Sequence, residues 1–212
     1  MKTAAVMTAL LLGSAAASSV LAQGLIVWGN IFGTTFRAPI YGVDPAAPTL
    51  RKTGNPMVGG LPAGTQTYGG ALLAGTGFTM AIYSGSTAAE AMASLSPLSN
   101  GTATFLTGAG AGFMNQRTAT VPNDPGTLEV HVQFRAWDNR GGMVTSWAQV
   151  LAAGGAIAGA ASDVFTVGPL GGVITAPQTQ GLRSFQLTAV PEPSLIALGA
   201  LCLGTLLLRR RK

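Results

Sequence analysis

Residues 128–137 read LEVHVQFRAW. Successive side chains of an extended chain point to opposite sides, so Leu128, Val130, Val132, Phe134 and Ala136 share one face. Glu129, His131, Gln133, Arg135 and Trp137 share the other. This unbroken alternation predicts a half-buried antiparallel strand, apolar face to the core and polar face to water. Pro125-Gly126 turns into it, and Asp138-Asn139-Arg140-Gly141-Gly142 turns out of it.

On either side of this stretch the same logic finds further short strands. Leu25–Trp28, Phe78–Tyr83, Ala103–Thr107, Asp163–Val167 and Leu182–Leu187 are short apolar or alternating runs separated by turn residues. Paired glycines at 59–60, 69–70, 141–142, 154–155 and 171–172 punctuate the chain too often for repeated long helices. Thr87–Ser94 fits one or two helical turns, with Thr87 as N-cap and Glu90 completing a capping box. Val144–Ala152 fits a second short helix, with Val144, Trp147, Val150 and Leu151 on one face. Residues 37–70 contain Ala38-Pro39, Asp44-Pro45, Asn55-Pro56 and Leu61-Pro62 and read as irregular. The expected fold class is all-β: an antiparallel β-sandwich, jelly-roll or immunoglobulin-like, with one or two short helices. An N-terminal signal helix and a C-terminal transmembrane helix are expected to flank it. The expected organisation is 1–22 signal peptide, 23–77 irregular segment with the first strand, 78–189 sandwich core and 190–212 tail.

The residue inventory limits the chemistry. The 212-residue chain carries a net charge of +5, but Lys2 and Arg209–Lys212 supply all of that excess. Glu192 offsets one charge, leaving +1 for residues 23–191. The basic balance therefore belongs to the chain ends and is not a nucleic-acid footprint. His131 is the single histidine, and no G-x-S-x-G elbow accompanies it. The one cysteine, Cys202, lies in the tail, so the middle of the chain has neither a disulfide nor a zinc ligand set. Asn123-Asp124 and Asp138-Asn139 read as turns, not calcium loops. Glu129 and Asp138 lie about 30 Å apart along an extended strand, too far for a glycosidase pair. No catalytic residue, metal or cofactor is expected. Trp137, with Arg135 beside it, is the candidate ligand-binding pair: on an exposed face its indole would stack on sugar rings. The alternative packs Trp137 beneath the helix that carries Trp147.

The chain ends carry topology. Lys2, the apolar run Ala4–Leu12, and Val20 and Ala22 at the −3 and −1 positions make a secretory signal peptide cut before Gln23. At the other end Val190-Pro191-Glu192-Pro193 precedes the apolar run Ser194–Leu208 and the cations Arg209, Arg210, Arg211 and Lys212. The prolines keep the tripeptide out of helix. The apolar run spans about 22 Å as a helix, short of a typical bilayer core, so the arginines must snorkel and hold the cytoplasmic side.

This three-part tail resembles the PEP-CTERM sorting signal of Gram-negative bacteria. The resemblance implies a membrane protease of the exosortase type as processing partner, acting at the Pro-Glu-Pro. The middle of the chain, with Arg135-Ala-Trp-Asp138, Ser162-x-x-Phe165 and Gly181-Leu-x-Ser-Phe185, resembles uncharacterised secreted proteins that carry the same tail. Together with the residue inventory, the tail resemblance implies an exported, non-enzymatic surface or extracellular-matrix protein of structural or interaction type. It would be anchored transiently in the inner membrane and then placed at the cell surface or outside the cell, with exopolysaccharide as a candidate partner and no nucleic acid. The alternative is a carbohydrate-binding module of an exopolysaccharide matrix, with a hydrolase a more distant third.

Overall fold

The computed structural model describes residues 24–122, 129–170 and 175–189. The signal residues Val20, Ala22 and Gln23, the motif Val190–Pro193 and the cations Arg209–Lys212 lie outside the described residues. Among the described residues, no helix is long and apolar enough to cross a membrane.

The chain folds into mostly antiparallel β-sheet with two short helices. Strands β1 (Gly24–Trp28), β2 (Ile31–Phe32) and β3 (Phe36–Arg37) come first. They are followed by β4 (Phe78–Gly85), α1 (Ala88–Ala93), β5 (Thr102–Thr104) and β6 (Arg117–Val121). Then come β7 (Val130–Asp138), α2 (Trp147–Ala152), β8 (Gly159–Ala161) and β9 (Phe165–Val167). The main sheet has the order β5-β4-β7-β8, and β9 pairs with β7 farther along the same edge as β8. Strand β1 pairs with β6, and β2 with β3.

β7 is the antiparallel strand predicted from the alternation at 128–137, and its register with β4 sets Ala136 opposite Met80 and Phe134 opposite Ile82. On that face Val130, Val132, Phe134 and Ala136 share one core with Ile26 and Trp28 of β1 and Ala119 and Val121 of β6. The rings of Trp28 and Phe134 lie 5.8 Å apart, close enough for direct aromatic contact. The β1–β6 ribbon thus packs against one face of the main sheet.

The other face of β7 is not half-exposed as its polar sequence predicts. Gln133, Arg135 and Trp137 are all buried. The reason is the order of elements: α1 follows β4, α2 follows β7, and both short helices fold back onto this face. Ala81, Tyr83 and Trp137 of the sheet form a second small core with Val144, Trp147 and Val150.

Both helices begin at side-chain caps. Thr87 Oγ1 accepts from the Glu90 N–H at 3.2 Å, and the Glu90 carboxylate reaches back to Ser86. Ser146 and Gln149 form a full capping box at α2, satisfying donors left free at a helix start. Helix α2 starts at Trp147, later than expected; Val144 precedes it and Leu151 faces outward.

Two further expectations change. The core does not begin at residue 78, because Phe32, Phe36, Ile40 and Leu73 belong to the same apolar cluster as β4 and β7. Residues 182–187 make isolated bridges, Phe185 to Thr53 and Gln186 to Tyr41, in place of a regular strand. They still bury Leu182, Phe185 and Leu187 in the main core.

Candidate functional site

Trp137 and Arg135 are closed to a ligand in this fold, each with 1% of its surface exposed. The Trp137 ring lies 6.1 Å from that of Trp147, and its indole N–H donates to the Val144 carbonyl at 3.0 Å. It packs beneath α2, so the exposed stacking face is absent.

Arg135 is occupied from every side. Its Nη1 donates to the Ser94 carbonyl at 2.7 Å, and its Nη2 to the carbonyls of Ala91 and Met92 at 3.0 and 2.7 Å. Nε donates to Gln133 Oε1, and the guanidinium lies 4.0 Å from the Tyr83 ring centroid. These carbonyls end α1, where unpaired acceptors and the helix dipole favour a cation. Burial pulls the Arg135 pKa down, against the opposing pull of Tyr83. Arg135 fastens a helix to the sheet.

An open feature lies elsewhere, where the 53–66 loop meets residues 180–183. It is a groove of about 410 Å³ lined by Thr53, Asn55, Gln66, Gln180 and Arg183 among others. A second hollow of about 290 Å³ shares Gly181 and Arg183 with it and continues to Asp163 and Phe165.

The groove is held by backbone anchoring. Asn55 is buried; its Nδ2 donates to the Pro62 carbonyl at 2.6 Å, and its Oδ1 accepts from the Ser184 N–H at 3.1 Å. Gly54 N–H donates to the Ser184 carbonyl at 2.8 Å. The Tyr68 hydroxyl sits between the carbonyls of Gly54 and Ser184, and the Tyr68 ring stacks on Tyr41 at 4.2 Å. Burial, then the neighbouring Tyr41 and Asp163, raises the Tyr68 pKa, so the hydroxyl stays a donor. Gly64 closes the loop where only a glycine fits, since a Cβ there would lie 2.0 Å from the Asn55 carbonyl oxygen.

Asp163 reaches the second hollow because the edge strand is interrupted between β8 and β9. Ser162 replaces a regular ladder bond: the Phe134 N–H donates to Ser162 Oγ at 3.0 Å, and Gln133 Nε2 to the Ser162 carbonyl at 3.0 Å. The strand bends there, as at a bulge, leaving Asp163 exposed. Asp163 accepts from Arg51 Nη2 at 2.7 Å and from Thr53 Oγ1 at 3.0 Å. Burial alone would raise its pKa. The bonds from Arg51 and Thr53, with the charges of Arg51 and Arg183, outweigh that and hold the carboxyl below its ordinary value. Arg183 is exposed and forms no ion pair among the described residues.

The groove can therefore offer amide, hydroxyl and guanidinium groups to a polar ligand. Among the described residues no three His, Cys, Asp or Glu side chains cluster as a metal site would need. His131 pairs across to Thr166 of β9, away from the groove. Nothing in the alternation of 128–137 points to this site; its parts are a loop, a glycine and an interrupted edge.

No family model matches the chain, and no curated protein or solved structure matches it.

Proposed function

We propose that this is an exported protein of structural or interaction type, sorted by its C-terminal tail and performing no catalytic step of its own. The observation that carries the reading is that paired residues lie directly inward of the two expected cuts. Strand β1 opens at Gly24, one residue after Gln23. At the other end the Ala189 N–H donates to the Pro48 carbonyl at 2.8 Å, immediately before Val190-Pro191-Glu192-Pro193. Both expected cuts lie outward of these paired residues, so processing would leave the pairing of Gly24 and of Ala189 whole. The charge distribution agrees, since the cations that favour a cytoplasmic end are concentrated in Arg209–Lys212. The shared core of the β1–β6 ribbon and the main sheet supports a β-sandwich as the form of this domain, with α1 and α2 as a third layer. Replacing Glu192 with Ala tests the sorting role. The expected result is an unprocessed form retained in the membrane fraction; normal release would contradict it.

A second reading is binding of an acidic saccharide at the Thr53–Arg183 groove, favoured by the exposed Arg183 and the hydroxyl and amide lining. Electrophoresis through a gel containing an acidic polysaccharide tests it: the wild type would be retarded and Arg183→Ala would run freely.

A further inference from the structure

We infer that, while the tail is in the membrane, one particular face of the domain lies against the bilayer: the face carrying Leu50, Leu151 and the groove beside Thr188. The inference rests on the tail reading above, and it adds an orientation and a contact surface that the tail by itself does not specify.

The last described residues are tied down one by one. The Leu187 N–H donates to the Tyr41 carbonyl at 2.9 Å, and the Thr188 N–H and hydroxyl both reach the Gly159 carbonyl. Ala189 is tied to Pro48. The chain is therefore fixed up to the residue before Val190, with no linker between fold and motif. From Ala189 to Ser194, where the apolar run begins, the chain can extend at most about 18 Å. The headgroup layer takes about 6 Å of that. A compact domain of this length is about 40 Å across. A tether shorter than half the domain cannot let the far side turn toward the membrane.

The surface around this exit suits such a neighbour. Trp147, Val150, Leu151, Gly154 and Ile157 line a shallow groove of about 260 Å³ that ends at Thr188. Leu151 stands on its rim with 57% of its surface exposed. Leu50 is 51% exposed, and its carbonyl accepts from Gln186 Nε2 at 2.8 Å, next to the Pro48 anchor. Arg51 and Lys52, which follow Leu50 in the chain, and Arg140, which bonds the Ala156 carbonyl, are each paired with a carboxylate, Asp163, Asp44 and Asp138. The face thus presents apolar side chains with little unpaired charge, as contact with the headgroup and acyl boundary requires. The opposite end of the sheet is marked by exposed Thr166, which pairs with His131, whereas Gly159 pairs with Trp137. The two positions are separated by about 20 Å along β7.

The test places single cysteines in the full chain with Cys202 replaced by Ser. An environment-sensitive fluorophore is attached at Leu50→Cys, Leu151→Cys or Thr166→Cys. The protein is reconstituted in vesicles of phosphatidylethanolamine and phosphatidylglycerol containing brominated lipid. We expect fluorescence to be lost at 50 and 151 and retained at 166. Equal quenching at all three positions, or none at 50 and 151 in protein that floats with the vesicles, overturns the inference and leaves the tail reading intact. Protein that fails to float with vesicles removes the tail reading, and the inference falls with it. A label at 151 already shielded from aqueous iodide before vesicles are added assigns the groove to a second copy of the chain and also overturns the proposal.

Discussion

The two faces of β7 are buried by different physics. On one, Val130, Val132, Phe134 and Ala136 meet β1, β6 and β4 in an apolar core, where burial and close packing stabilise in proportion to area. On the other, Gln133, Arg135 and Trp137 are just as hidden but carry polar groups: Arg135 and Trp137 hydrogen-bond to the segments that cover them, and Gln133 to Arg135 and to the Ser162 carbonyl on the sheet edge. The first face tolerates no polar atom. The second is secure only while its carbonyl partners at the end of α1 and before α2 stay in place. The comparison shows that alternation along a strand reports chemistry, whereas burial depends on what folds over each face.

The largest effect is expected from breaking the first face. Val132→Asp places an unpaired charge in the apolar core and should cost more than about 4 kcal/mol. That is comparable to the whole stability of such a domain, so no cooperative melting transition should remain by circular dichroism. A folded Val132→Asp protein would show the face assignment to be wrong.

On the second face, Arg135→Met keeps much of the side chain's bulk but removes its donors, leaving the carbonyls of Ala91, Met92 and Ser94 without them. A loss of about 2 kcal/mol is expected, or about 4–8 °C in Tm for a domain of this size. Differential scanning calorimetry would decide. An unchanged Tm would mean that water replaces the guanidinium at the end of α1. Ser146→Ala probes the cover itself by removing the cap of α2. The expected loss is about 1 kcal/mol, and near-ultraviolet circular dichroism from the Trp137–Trp147 pair should weaken before the β signal does.

The smallest effect concerns the hollow beside the groove. The Asp163 carboxyl is held below its ordinary pKa in the folded protein. A group whose folded pKa is depressed contributes stability above the unfolded value, near 4, and loses it as pH falls through the folded value. Tm should therefore fall as pH is lowered below that unfolded value, and Asp163→Asn should flatten part of that decline. The ion pair with Arg51 is about half exposed on both sides, so the difference should be small.

Much of the strand framework is legible in the sequence because its signals are local. The alternation in 128–137 locates β7, the apolar run at 78–83 locates β4, and Thr87 with Glu90 marks the start of α1. Strand β6 is hidden because Arg117-Thr-Ala-Thr-Val121 carries little apolar bulk; only Ala119 and Val121 point into the core. The capping box of α2 is in view as Ser146-x-x-Gln149, but the helical stripe of Val144, Trp147 and Leu151 suggests an earlier start. The burial of Arg135 cannot be read locally, because its acceptors lie more than 40 residues away at the end of α1. The groove and the hollow beside it are no more local: they depend on the pairs Asn55–Ser184 and Arg51–Asp163, each separated by more than 100 residues.

The most direct test of the functional account is the intact mass of the protein recovered from the cell surface. The expected species begins at Gln23 and ends near Pro191, with the chain from Gly24 to Ala189 complete. A species still ending at Lys212 would contradict it and make this a permanently anchored membrane protein.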